Sequence, residues 1–318
     1  MKKRTVQSLN HSQYWRKLQF FYTIEHSGAL RIRQGTQMTD IRGFLSETLE
    51  LSSRELCSRF GHNNNVRAKK DTSLVTDADL ASEKIILERI SSFFPDDAII
   101  SEESGQKNLR RAAGQKVWIV DPLDGTTNFA NGFPFFGISI GYGEFNREGR
   151  VKMLAGGIAD PIHNHQYIGI CGEGAFKNGA KMAVQAEREF PKCFLVTGFY
   201  YTLGPDLDRE VERFRRVAQQ CQSIRRDGSA ALDLALVAAG VYDGFWERGL
   251  AIWDVAAGSL LVREAGGHVI NYPGIGNGEA SSASFGAETG AIFYDIEGEG
   301  IVAGTRTMVS EVHQLLRA

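Results

Sequence analysis

Trp118-Ile119-Val120-Asp121-Pro122-Leu123-Asp124-Gly125-Thr126-Thr127 is the stretch that decides the fold. Its apolar start, from Val117 to Val120, reads as a buried strand. Two carboxylates follow, separated by Pro122 and Leu123, and Gly125-Thr126-Thr127 then opens a turn into a helix. Carboxylates at a strand's end, with a helix N-terminus beside them, suit a divalent cation and a phosphate bound together. The chemistry this predicts is phosphate ester hydrolysis. More acidic residues stand in two other segments: Glu102 and Glu103 within Ser101-Glu102-Glu103-Ser104-Gly105, and Asp254 directly after Ala251-Ile252-Trp253.

The chain has 318 residues, enough for one large domain or two lobes around a sizeable core. Its apolar content of 42% and charged content of 23% are those of an ordinary globular protein. A net charge of −2 hides an asymmetry. Residues 1–37 hold seven Lys/Arg and only Glu25, leaving 29 basic and 37 acidic residues in the remainder. An acidic body argues against general nucleic-acid binding and fits a protein that concentrates cations. Cys57, Cys171, Cys193 and Cys221 are far apart and form no CxxC pair, which predicts reduced thiols in a cytoplasmic protein. No apolar run approaches the ~20 residues of a membrane span. The basic first 37 residues read as a disordered extension, or as chain preceding a true start at Met38. Their composition also fits an organellar transit peptide.

The apolar periodicity from Thr39 (Ile41, Phe44, Leu45, Leu49, Leu51) predicts a helix capped by Asp40. A second helix is predicted over Asp79 to Phe94, with Ile85, Ile86, Ile90 and Phe93 on one face. Short strands are predicted at 98–101, 117–120, 137–142, 152–157, 166–170 and 194–197, with later helices at 208–220, 229–239 and 254–265. The tract from Asn271 to Gly290, rich in Gly, Ser and Ala, reads as a surface loop.

Four blocks together resemble the inositol monophosphatase family of metal-dependent, lithium-sensitive phosphatases. They are Val75-Thr76-Asp77-Ala78-Asp79, Ser101-Glu102-Glu103-Ser104-Gly105, Asp121-Pro122-Leu123-Asp124-Gly125-Thr126-Thr127-Asn128-Phe129, and Trp253-Asp254-Val255-Ala256-Ala257-Gly258. The resemblance covers about residues 40 to 318. It implies a layered αβαβα sandwich of the α/β (α+β) class, shared with the fructose-1,6-bisphosphatase type. We divide it at 187/188, into an N-terminal lobe (38–187) carrying the metal and phosphate site and a C-terminal lobe (188–318) for substrate recognition. It also implies two or three Mg²⁺, with Mn²⁺ as a substitute. Glu102, Asp121, the carbonyl of Leu123, Asp124 and Asp254 would be the ligands. Glu102 and a Thr126–Asp79 pair would position a metal-activated water, and Glu103 would support from behind. Asp124, Gly125, Thr126, Thr127, Gly228, Ser229, Ala230 and Glu247 would bind the substrate, with Glu247 accepting from inositol hydroxyls. The implied activity is hydrolysis of myo-inositol monophosphate by a homodimer.

Each assignment has a plainer reading beside it. Asp121 and Asp124 could be solvated turn carboxylates. Glu102 and Glu103 could be an exposed acidic loop. Asp254 makes a good N-cap, Asp79 a helix start, and Asp77 a surface residue. Glu247 could be an exposed charge loosely paired with Arg248. Arg225 and Arg226 read equally as ligand contacts, dimer contacts or a solvated face. His163 and His165 read as a solvated hairpin turn rather than a metal site, and His62 as a loop residue. Three features depart from the family pattern: Ala303-Gly304-Thr305, the long 271–290 loop, and the basic extension. Alternative substrates are histidinol phosphate, fructose 1,6-bisphosphate and a nucleotide bisphosphate, although Thr127-Asn128-Phe129 follows the inositol branch. A different class remains: a regulatory, RNA- or transcription-associated binding protein that keeps the fold.

Overall fold

The computed structural model describes residues 31–34, 37–62, 64–69, 74–199, 204–272 and 295–317. Arg31–Gln34 (β1) and Gln37–Asp40 (β2) pair antiparallel, so the end of the basic extension forms a hairpin; residues 1–30 lie outside the described residues. Asp40 caps helix α1 (Ile41–Arg59), accepting from the Arg42 amide at 3.1 Å. Ile41, Phe44, Leu45 and Leu49 are buried as their spacing predicts. Leu51 falls off that stripe, which a helical period continues through Ser52 and Leu56.

A small hairpin, Arg67–Ala68 (β3) with Leu74–Val75 (β4), leads into α2 (Asp77–Phe93). This helix starts two residues earlier than predicted because Thr76 caps it. The Thr76 hydroxyl accepts from the Ala78 amide at 3.1 Å, and Asp79 accepts from the Thr76 amide at 2.8 Å. Its buried face is also more polar than predicted, holding Ser82, Glu83 and Arg89 beside Ile86 and Ile90. Phe93 is 40% exposed; Phe94, past the helix end, enters the core against Phe44 and Trp118.

The large sheet is built from β5 (Ala98–Ser101), β6 (Gly105–Lys107), β7 (Lys116–Asp124), β8 (Gly137–Phe145), β9 (Val151–Asp160), β10 (His165–Ile170), β11 (Gly174–Lys177) and β12 (Ala180–Lys181), with the short helix α3 (Thr126–Ala130) after β7. Its order is β12-β11-β10-β9-β8-β7-β5-β6, antiparallel except between β5 and β7. A second sheet follows from β13 (Phe194–Thr197), β14 (Ser223–Arg225), β15 (Gly244–Arg248), β16 (His268–Asn271) and β17 (Gly300–Gly304), in the order β14-β13-β15-β17-β16. The helices of this half are α4 (Leu207–Ala218), α5 (Ala230–Ala238), α6 (Ile252–Glu264) and α7 (Arg306–Arg317).

The layers follow from which faces are apolar. Helices α1 and α2 cover the outer face of the large sheet, around Trp118, Tyr142 and Ile140. Helices α5 and α6, nearly buried all round, lie between the two sheets. Helices α4 and α7 cover the far face of the small sheet. The result is the αβαβα sandwich. Most predicted strands extend further than their apolar runs: β7 continues through Asp121 to Asp124, and β9 through to Asp160. Of the predicted 271–290 loop, Asn271 ends β16 and Tyr272 is buried, while residues 273–290 lie outside the described residues.

Candidate active site

Side chains three apart on a regular strand point to opposite faces. Asp121 and Asp124 escape that rule through a bulge. Asp121 pairs with Ser139 and Asp124 with Gly137, so β7 carries one residue more than β8 over this step. Pro122, with no amide to donate, sits inside the bulge. The Asp121 carboxylate accepts from the Leu123 amide at 3.0 Å and holds the turn. Both carboxylates then face the space beneath the N-terminus of α6, where Asp254 joins them. Oxygens of Asp121, Asp124 and Asp254 lie within 4.8 Å of one another, the one such group among the described residues.

Asp254 is the third residue of α6 and not its N-cap, a correction to the capping assignment. It reaches back to accept from the Ala251 amide at 2.7 Å, so one carboxylate oxygen braces the helix start. Asp124 is braced likewise, accepting from the Ser229 hydroxyl at 2.7 Å and the Ala231 amide at 2.6 Å. Glu102 lines the same cavity and accepts from Lys69 Nζ at 2.7 Å; Glu103 accepts from the same ammonium. The loop bearing both glutamates hangs from the buried Glu83, which accepts from the Ser104 amide at 3.0 Å and from the Ser101 hydroxyl. Neither Lys69 nor Glu83 was singled out from the sequence. A helix register that turns Glu83 inward, four residues after Asp79, was the available signal.

Thr126 donates to Asp79 Oδ1 at 3.0 Å and to the Leu123 carbonyl at 3.0 Å. The other Asp79 oxygen accepts from the Thr76 amide and hydroxyl. Asp79 therefore holds the Thr126 hydroxyl from behind the cavity lining. Gly125 has φ +89°, and a Cβ there would press on the carbonyls of Gly228 and Phe135 at 3.2 Å. Thr127 is exposed and stands outside the cavity lining. Helix α3 is only five residues long, so the pull its N-terminus exerts on an anion is short-ranged.

The cavity, about 210 Å³, is closed from the other side by Gly198, Phe199, Arg226, Gly228, Ser229, Ala230 and Glu247. Glu247 is not paired with Arg248. Alternation along β15 sends Glu247 into the cavity and Arg248 to the opposite side, where it meets Asp206 at 3.1 Å and Glu210 at 3.5 Å. Glu247 packs so tightly on Gly198 that a Cβ there would overlap its carboxylate. Both arginines are exposed but they separate: Arg226 lines the cavity beside Phe199, whereas Arg225 lies over Phe194, outside the lining. Asp233, from α5, also lines the cavity and was missed. Asp77 lies in the first turn of α2, bonded to Asn65 and Arg67, away from the lining. His163 Nδ1 donates to Asp160 Oδ2 at 2.8 Å and the ring stacks on His165, forming no metal-ligating trio among the described residues. His62 is exposed beyond the end of α1.

Six carboxylates (Glu102, Asp121, Asp124, Asp233, Glu247 and Asp254) face Arg226, the one basic residue lining the cavity among the described residues. Burial, then repulsion from Glu102, Asp124 and Asp254, pushes the Asp121 carboxyl well above the ordinary range. Burial likewise raises Asp254, with Asp124 and Glu102 adding to it. Asp124 is pushed up to about 6, chiefly by burial, against hydrogen bonds from Ser229 and Ala231. Burial pushes Glu247 up to about 8 and Glu103 up to about 7. Such a cavity repels phosphate unless cations neutralise it. All its convergent donors are hard oxygens, which suits Mg²⁺ or Mn²⁺ rather than a soft metal.

A model of the inositol monophosphatase family matches residues 38–308. Among curated relatives, the Nus factor SuhB of Pasteurella multocida is 41% identical over 206 residues, covering 65% of this chain and 74% of that protein. The inositol-1-monophosphatase of Synechocystis is 38% identical over 230 residues, covering 71% of this chain and 77% of its own length. The solved extragenic suppressor protein suhB from Bartonella henselae superposes with a TM-score of 0.74 at 33% identity, covering 88% of this chain and 99% of that one. The inositol monophosphatase structure from Anabaena gives 0.70 at 33% identity, over 88% and 97% of the two chains.

Proposed function

The chain belongs to the inositol monophosphatase family, and from that premise we propose that it hydrolyses myo-inositol monophosphate to inositol and phosphate in the presence of Mg²⁺. The convergence of Asp121, Asp124 and Asp254 within 4.8 Å carries the reading. These three, with Glu102 and the Leu123 carbonyl, would hold two or three ions. Bound there, a hard divalent cation supplies Lewis-acid stabilisation of the phosphate and leaving oxygens and favours water as a nucleophile.

The chain's own groups do the positioning. The Thr126 proton is shared between Asp79 and Leu123, so its lone pairs are free to accept from an attacking water. Asp79, buried and held by Thr76, keeps that hydroxyl oriented. Backbone amides of the Gly125–Thr126 turn would receive phosphate oxygens. Gly228, Ser229 and Ala230 would border the polyol ring, with Glu247 bonding its hydroxyls. Lithium inhibition and a homodimer belong to the same proposal. The test is a phosphate-release panel over inositol, histidinol, fructose and nucleotide phosphates with Mg²⁺. Inositol monophosphate should lead it, and Glu247→Gln should depress that substrate selectively.

A second reading rests on the relatives named Nus factors, at 39–41% identity. The chain would then also bind a transcription- or RNA-associated partner, which the acidic body alone argued against. Asp121→Asn separates the roles, since a binding function should survive it while hydrolysis does not.

A further inference from the structure

We propose that Asp233 is a specificity-determining residue that binds a hydroxyl of the polyol leaving group beside Glu247, an inference resting on the polyol-phosphatase reading above. Asp233 belongs to the first turn of α5 and lies one helical turn beyond Ser229, so both project on the same side. It lines the cavity yet is only 1% exposed, and its Oδ1 has no hydrogen-bond partner among the described residues. Its neighbours differ. Asp124 is held by Ser229 and Ala231, and Asp254 by Ala251. A buried carboxyl oxygen left unbonded is costly, and at the wall of a ligand cavity it marks a place that a ligand completes.

The chemistry of that ligand follows from the surroundings. The phosphate belongs beside Asp121, Asp124 and Asp254, which would gather cations, and it would repel another carboxylate. A cationic ligand group would meet Arg226. Burial, with Asp227, Glu247 and Asp124 nearby, raises the Asp233 carboxyl well above the usual range, favouring an uncharged partner. A hydroxyl, both donor and acceptor, satisfies this carboxyl in either protonation state. Asp233 from α5 and Glu247 from β15 would then grip the ring at two points, which a phosphate ester without a polyol cannot use.

The experiment compares kcat/KM for myo-inositol 1-phosphate with that for phenyl phosphate, using the full chain with saturating Mg²⁺. Wild type is measured beside Asp233→Leu, of similar shape but unable to hydrogen-bond, and Asp233→Asn, which still can. The ratio of the two substrates should fall about tenfold in the Leu variant through a raised KM, the loss of one hydrogen bond. The Asn variant should restore it to within about twofold of wild type. If Asp233→Leu does not fold, Asp233→Ser, whose hydroxyl stops short, carries the same measurement. An unchanged ratio, or an equal loss for both substrates in both variants, overturns the assignment of Asp233 alone. A wild-type protein with no preference for the inositol ester overturns the polyol reading, and this inference with it.

Discussion

Ser229 donates its hydroxyl proton to Asp124 Oδ2 at 2.7 Å, joining the end of β7 to the start of α5. The bond spans 105 positions of sequence, from the large sheet to the helix layer between the sheets. One oxygen of Asp124 is thereby committed to the fold, and the other is left to face Asp121 and Asp254. Ser229→Ala should leave Asp124 less constrained. Mg²⁺ affinity, read from the concentration giving half-maximal phosphate release, should weaken about tenfold, the lower end for residues that orient metal ligands. An unchanged Mg²⁺ requirement contradicts the bracing role.

In the proposed reaction Thr126, held by Asp79 and the Leu123 carbonyl, would orient the attacking water. Thr126→Val keeps the shape and removes the hydroxyl. We expect kcat to fall by about 100-fold or more, as for loss of a positioned proton acceptor, with the thermal midpoint nearly unchanged. A large fall in the midpoint with modest loss of kcat would make Thr126 a structural residue instead.

Gly198 must be small because Glu247 packs on it. Gly198→Ala should swing the Glu247 carboxylate away from the cavity and raise KM for inositol monophosphate. Activity on phenyl phosphate should suffer less. Equal effects on both esters would show that Glu247 does not read the polyol.

Glu247 also gives the metal-free protein a pH signature. Its carboxyl moves from 4.5 to about 8 on folding, so the folded chain binds a proton that the unfolded chain has released between those values. Its contribution to stability is therefore full below 4.5 and is lost as the pH rises through about 8. The thermal midpoint of metal-free protein should fall over that window, and Glu247→Gln should flatten the fall. A midpoint that rises with pH, or a slope indifferent to the substitution, contradicts this.

Much of the frame could be read from the residues. The apolar run before Asp121 announced β7, and Phe194 to Thr197 gave β13 without adjustment. What escaped depended on contacts remote in sequence. The β7 bulge, which brings Asp121 and Asp124 to one side, exists only against β8. Glu83 and Lys69 brace the Glu102–Glu103 loop from other elements, and on a linear chain they look like surface charges. The core-facing side of α2 includes the buried Arg89, and Phe94 beyond the helix end fills the core instead of Phe93; apolar spacing alone signals neither. Asp254 was misassigned as an N-cap because reaching back from the third helical position to the Ala251 amide requires the folded turn.

The central claim is that Asp121, Asp124, Asp254 and Glu102 form a cation cage without which phosphate esters are neither held nor cleaved. Phosphate release from myo-inositol 1-phosphate, measured on chelator-stripped protein during Mg²⁺ titration, tests it most directly. Wild type should start from no turnover and saturate with Mg²⁺, while Asp121→Asn stays silent at every concentration. Turnover in the stripped protein, or wild-type rates from Asp121→Asn, would contradict the account.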